Sequence, residues 1–444
     1  MPSLRTLTIS LLALLALPAL AADIPSRPGI DAPELAAPGA LAVGVRTLTL
    51  VHKDQVDPAG WLGIAGAVVG LPPRADRSIT VDIWYPAKPV AGAQPETYRD
   101  SLPSEPPAPD TAFTVPGMAV RDAAPLKQKS PLVVVSHGYG NVTAGFTWLT
   151  ENLATKGYVV AAIRHLDPYN DGRVGFPKVL LRRPLDIGFV ARSLQQSLAE
   201  EGLVDPTRTA LVGYSMGGYG VLTSSGAVLD PEGPIAKATP GGLLEPYGRD
   251  GAERDAMLVK DLKAVVAIAP AGGSLSAWGS DGLQGIRAPL LLISGDHDQT
   301  VDYATGAKAF FESTTATTRY LLTFREGGHA LGLGPAPAEM RQDLWNLDWF
   351  EDPVWRKDRI VGINLHFITA FLDRYVKDDE SRASYLELPT TESAHGVWPQ
   401  DQQGSWNEVS PGTEGITVWK GFQRRHAQGL EWLRKAPAEV TPST

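Results

Sequence analysis

Six short apolar runs constrain this chain more than any other feature: Leu132 to Val135, Tyr158 to Ile163, Thr209 to Val212, Ala264 to Ile268, Leu290 to Ile293 and Tyr320 to Phe324. Each is too short for a helix and apolar on both faces, the pattern of strands covered from both sides. Helical spacing is found near residues 144–156, 184–200, 217–228 and 303–313, with one more stretch at 359–376 after the last run. Such alternation predicts a three-layer α/β architecture with a mostly parallel sheet. Two segments of alternating pattern, Val43 to Leu50 and Ser78 to Tyr85, precede it and predict antiparallel strands, for about eight strands in all with helices on both faces.

Two insertions interrupt this order, at 229–261 and 331–357, the second carrying Trp345, Trp349, Phe350 and Trp355. Long connections over strand ends are where binding function concentrates, so each is a candidate lid. The main domain is expected over 41–378. Residues 379–444 form a C-terminal appendage whose Trp398, Trp406, Trp419 and Trp432 need burial against the core. Residues 22–40, rich in Pro and Ala, read as a flexible leader.

Residues 1–21 have the order of a secretory signal peptide: a charged start ending at Arg5, an apolar run from Leu7 to Leu17, and small residues around Ala19 and Ala21. Cleavage is expected after Ala21. The run is shorter than the roughly 20 residues of a spanning helix, so no stable membrane anchor is expected. Together these features predict export to the periplasm or the medium. A net charge of −9 argues against a nucleic-acid partner, which would need clustered cations. The tight basic pairs Arg182-Arg183 and Arg424-Arg425 read as solvated helix faces. With no cysteine, nucleophilic chemistry has to use oxygen or imidazole.

The run Thr209 to Val212 leads into Gly213-Tyr214-Ser215-Met216-Gly217 and then into small residues that open a helix. This strand, tight turn and helix presents a serine hydroxyl at the tip of a sharp bend, with glycines where side chains would collide. Another apolar strand ends in Ser136-His137-Gly138-Tyr139-Gly140, which offers backbone donors for a developing oxyanion. The expected donors are the N–H groups of Tyr139 and Met216. A serine nucleophile needs a base and an orienting acid. His329 follows the strand Tyr320 to Phe324, and Asp298 follows Leu290 to Ile293, with Asp296 and Asp302 as rival acids. The acids beside His297 lack the spacing of a calcium loop, so neither metal nor cofactor is expected. His137 and His165 read as hydrogen-bonded structural groups. Trp148, Tyr214, Trp278 and Trp349, with Tyr139, are candidate walls of an apolar substrate pocket.

With these motifs the chain resembles α/β-hydrolases of the dienelactone-hydrolase-like and platelet-activating-factor acetylhydrolase-like groups, from about Val43 to Lys377. The resemblance rests on V-D-I-W-Y-P at 81–86, V-V-S-H-G-Y-G at 134–140, R-P-L-D-I-G-F-V at 183–190 and G-Y-S-M-G-G-Y-G at 213–220. It implies the α/β-hydrolase fold and a serine esterase acting on a small-molecule ester. The cysteine nucleophile of dienelactone hydrolase proper has no counterpart here. The acid expected after the sixth strand in the acetylhydrolase group is also absent, since Pro270-Ala271-Gly272-Gly273 holds no carboxylate. A peptidase, a polyester hydrolase or a catalytically silent envelope-binding protein would be the competing uses of the same scaffold.

Overall fold

A computed structural model describes residues 24–57, 73–167, 172–239, 242–400, 403–404 and 414–438. The expected signal peptide with its Ala21 site, and Trp406, lie outside the described residues.

The six apolar runs become strands that are buried along most of their length because each is apolar toward both layers. They are β6 (Ser130–Ser136), β7 (Val159–Arg164), β8 (Val204–Tyr214), β9 (Leu262–Ile268), β10 (Leu290–Gly295) and β11 (Arg319–Phe324). Neighbours within this set all run parallel. The two alternating segments form β1 (Ala42–Val56) and β2 (Arg74–Ala87), antiparallel to each other, with β2 antiparallel to β7. A separate hairpin pairs β3 (Thr97–Leu102) with β4 (Thr111–Pro116).

The main sheet has ten strands rather than about eight, in the order β12-β11-β10-β9-β8-β6-β7-β2-β1-β5. The additions are the two edges, β5 (Val120–Arg121) beside β1 and β12 (Leu430–Lys435) antiparallel to β11. The C-terminal segment therefore completes the sheet as well as packing on it. Trp432 anchors it, stacked on Phe367 with centroids 4.6 Å apart and donating its indole N–H to Leu386 O at 2.9 Å. Trp419 is fully buried and donates to Thr390 O at 2.9 Å.

Helices cover both faces. Thr147–Thr155 packs with Lys357–Val376 on one side, and Gly172–Glu200 packs with Met216–Ser224 on the other. Among the described residues no helix is long and apolar enough to cross a membrane.

Residues 24–40 differ from the expected flexible leader. Buried side chains of helix Thr147–Thr155 tie this segment down: Ser26 Oγ donates to Glu151 at 2.8 Å, and Asn152 Nδ2 donates to Ser26 O at 3.1 Å and Ala36 O at 3.0 Å. Pro and Ala in this stretch lack periodicity because the segment makes discrete contacts and no repeating face.

Of the two insertions, 229–261 packs along the long helix Gly172–Glu200. Arg192 of the long helix donates to Ala256 O at 3.0 Å and Leu258 O at 2.7 Å, which holds the insertion against that helix. Residues 331–357 instead fold over the sheet, and helix Leu344–Asp348 is capped by Asp343 through Asn346 N–H at 2.8 Å. Trp345 and Trp349 both donate their indole N–H to Pro103 O at 3.1 Å, docking the helix beside the β3–β4 hairpin.

Candidate active site

Ser215 sits between β8 and helix Met216–Ser224 with φ 53° and ψ −116°, a left-handed conformation in which a non-glycine residue is strained. The bend holds because its surroundings admit only glycine. A Cβ on Gly213 would lie 2.2 Å from Gly217 O, and one on Gly217 would lie 2.0 Å from Ser136 O. Ser215 N–H donates to Ile268 O at 2.9 Å, and Ser215 O accepts from Ala271 N–H at 3.0 Å. The serine backbone is thereby held by β9 and its following loop.

The structure brings the three distant candidates together. His329 Nε2 lies 3.0 Å from Ser215 Oγ, and His329 Nδ1 lies 2.7 Å from Asp298 Oδ2. An ionised carboxylate only accepts hydrogen bonds, so Nδ1 carries the proton and Nε2 is left to accept from the serine hydroxyl. Burial pushes the Asp298 carboxyl up, but the hydrogen bond and charge of His329 and the N–H groups of Val301 and Thr300 outweigh it and hold the group below its ordinary value. Those two amides meet Asp298 Oδ1 at 3.1 and 2.9 Å. Tyr214 donates its hydroxyl to His329 O at 3.0 Å, steadying the histidine loop from below.

The rival acids are engaged elsewhere. Asp296 pairs with His297 at 2.9 Å and Arg325 at 3.3 Å, and Asp302 accepts from Thr305 N–H at 2.7 Å. A second serine, histidine and aspartate also line up: Ser136 Oγ is 2.8 Å from His165 Nε2, and His165 Nδ1 is 3.1 Å from Asp186 Oδ2. All three are buried, so no substrate reaches them. His137 and His165 are the structural groups that the sequence suggested. Burial, then the Arg183 charge, push His165 down to about 4.

A cleft of about 350 Å³ opens above Ser215, lined by Tyr139, Asn141, Tyr214, Thr300, His329, Trp345 and Trp349 among others. Of the candidate walls, Tyr139, Tyr214 and Trp349 line this cleft. Trp148 and Trp278 do not reach the cleft. Trp148 is fully buried and donates to Gly332 O at 3.0 Å, while Trp278 stacks on Tyr219 at 5.5 Å and donates to Thr223 Oγ1 at 3.1 Å. Both are buried in the helix layer, where a large apolar ring with one satisfied N–H is at home. Trp345 and Asn141 were not singled out as wall residues. Trp345 was legible only as one of several aromatics in the 331–357 insertion, and Asn141 carried no signal.

The basic pair on the long helix also departs from expectation. Arg183 is fully buried and paired with Asp167, and Arg182 meets Asp57 at 2.9 Å. A cation flanked by apolar residues here points inward because buried acceptors await it.

The parallel sheet, the strained serine at the end of β8 and the histidine after β11 are the architecture of the α/β-hydrolase fold. The family model described as PET hydrolase-like matches residues 122–237. The chain is 26% identical over 183 residues to Cutinase 1 of Thermobifida cellulosilytica, a match covering 41% of this chain and 53% of that protein. It is equally identical to the cutinase of Thermobifida fusca (strain YX), with 41% and 46% covered. The chain thus spans about half the length of these curated relatives. The solved structure of a ferulic acid esterase from Streptomyces cinnamoneus shares the fold, with a TM-score of 0.50 and 20% identity over 78% of this chain and 94% of that one.

Proposed function

We propose that this chain is an exported serine hydrolase that cleaves carboxylic esters through an acyl-enzyme on Ser215. The observation that carries the proposal is the unbroken hydrogen-bonded path from Ser215 Oγ through His329 to Asp298 at the floor of an open cleft. Ser215 Oγ attacks the ester carbonyl while His329 Nε2 takes its proton, and the carbonyl oxygen becomes an oxyanion. The N–H groups of Tyr139 and Met216 receive that charge, each contributing on the order of 3 kcal/mol. Met216 opens a helix, so its N–H has no acceptor within that helix. Collapse of the intermediate expels the alcohol with the proton from His329. Water then attacks the acyl-enzyme by the same route in reverse, releasing the acid and restoring the serine.

The likeness to cutinases and to a ferulic acid esterase supports ester over amide chemistry, and the order of residues 1–21 supports export with cleavage after Ala21. Changing Ser215 to Ala should lower turnover of a short p-nitrophenyl ester by at least about 10⁴-fold while leaving the fold intact. Full activity in that variant would refute the assignment.

A polyester substrate is a second reading with its own observation. Trp345, 38% exposed, lines the cleft, and its chain neighbour Leu344 is 71% exposed, which offers apolar surface beside the cleft to a long chain. Release of soluble acid from an aromatic polyester film would support it. Activity confined to small soluble esters would exclude it.

A further inference from the structure

Arg183 makes its contacts on the loop that carries one of the proposed oxyanion donors. Its guanidinium donates from Nη1 to His137 O and to Ser136 Oγ, the latter at 3.3 Å, and from Nη2 to Gly138 O at 2.9 Å. Asp167 closes the arrangement: it pairs with Arg183 and its Oδ2 accepts from Gly140 N–H at 3.1 Å. The Gly138 carbonyl also accepts from His137 Nδ1 at 2.7 Å and from Asn141 N–H at 3.2 Å. The proton on His137 Nδ1 is fixed because its Nε2 accepts from His165 N–H at 3.2 Å, which requires that nitrogen to be bare.

Gly138 C=O and Tyr139 N–H belong to one planar trans peptide, so they point in opposite directions. Three donors drawing the carbonyl into the protein interior therefore turn the amide hydrogen outward, toward the cleft that Gly138, Tyr139 and Ser215 line. Hydrogen bonds on the carbonyl also polarise the peptide and strengthen its N–H as a donor. The ion pair is neutral as a unit, so its effect is to orient and polarise this peptide, with no net positive field added at the reacting carbonyl.

We propose that the buried Arg183–Asp167 pair is a positioning device for catalysis: it holds the 138–139 peptide so that Tyr139 N–H faces the substrate oxyanion. The inference rests on the ester-hydrolase reading of Ser215 and adds two residues that act through the loop without touching substrate. A peptide freed from this grip can rotate its N–H away from the cleft, and the transition state then loses a donor while the ground state loses little.

The test compares Arg183→Lys and Asp167→Asn with the unchanged protein on an oxoester and on the matching thionoester. The sulfur of a thionoester accepts hydrogen bonds poorly, so its turnover depends little on oriented N–H donors. Lysine cannot reach both carbonyls and the carboxylate in the fork geometry of arginine. For Arg183→Lys we expect oxoester kcat to fall about 10- to 100-fold with KM changed by less than about threefold. Thionoester kcat should fall by less than about threefold, so that the preference for oxygen over sulfur shrinks about tenfold. Asp167→Asn should shift the preference in the same sense but less, since its amide oxygen still accepts from Gly140.

Equal losses on both substrates, or an unchanged oxoester kcat, would overturn the proposal. If Arg183→Lys loses its near-UV circular dichroism, Asp167→Asn decides by the same two rates. Fluorophosphonate labelling of the unchanged protein, run in parallel with Ser215→Ala, separates the two claims. Absence of labelling defeats the serine reading, whereas labelling with unshifted preference in folded variants defeats only the positioning role.

Discussion

At the scale of single residues, the candidate site is a matter of which carboxylate and which hydroxyl find the imidazole. Asp298 is the acid that meets His329, at 2.7 Å, while Asp296 two residues earlier is held by His297 and Arg325. Asp298→Asn would present an amide to Nδ1 and favour the wrong tautomer, so kcat should drop on the order of 10³- to 10⁴-fold with the fold preserved. Asp296→Asn should stay within about threefold of the unchanged protein. Steady-state kinetics on one ester resolve the pair, and the reverse ranking would return the role to Asp296. The order serine, aspartate, histidine was legible because each residue closes a recognisable apolar strand. Arg183 was not legible in this way. A cation next to apolar neighbours on a helix looks the same in sequence whether it faces water or a buried carbonyl, and only the packing of Ser136 to Gly140 decides.

At the scale of elements, the turn from β8 into helix Met216–Ser224 is the part that sequence reads best and tolerates change least. Its glycines are demanded by contacts that the motif itself creates, since the helix start presses on the end of β6. Gly217→Ala would drive a methyl group into Ser136 O, 2.0 Å away, and should cost at least about 2 kcal/mol of stability along with nearly all activity. Chemical denaturation together with an ester assay measures both, and an active variant of unchanged stability would show that the turn is looser than described. The cleft walls were less legible. Trp148, Trp278, Trp345 and Trp349 look alike as isolated aromatics, yet the first two fill the helix layer and the last two belong to the insertion that folds over the sheet. Which insertion covers the site depends on partners distant in sequence, such as Pro103 for Trp345 and helix Gly172–Glu200 for residues 229–261.

At the scale of the whole molecule, the parallel core was legible because six apolar runs can only be buried on both faces, whereas the edges were not. Leu430–Lys435 carries too little pattern to announce that it extends the sheet beside β11. The same buried interior sets how stability responds to acid. Burial, with the charges of Arg183 and His165, holds His137 well below its ordinary value. Burial and Arg183 push His165 down to about 4, and burial and Lys156 push His366 down to about 3. In the unfolded chain these groups take up protons near about pH 6.5, while the folded protein refuses them until far lower pH. Their contribution is therefore complete above about pH 6.5 and is lost as pH falls toward the folded values, with a slope approaching about three protons. Urea midpoints should stay level above about pH 6.5 and decline from there to about pH 5, and a flat profile across that range would contradict the buried neutral state of these histidines. The central claim, that one serine alone is activated by the assembled residues, is tested most directly by mapping a fluorophosphonate adduct by tandem mass spectrometry. We expect a single adduct on Ser215 and none on the buried Ser136, despite its own histidine and aspartate. An adduct on any other residue, or an ester-hydrolysing preparation with none, would contradict it.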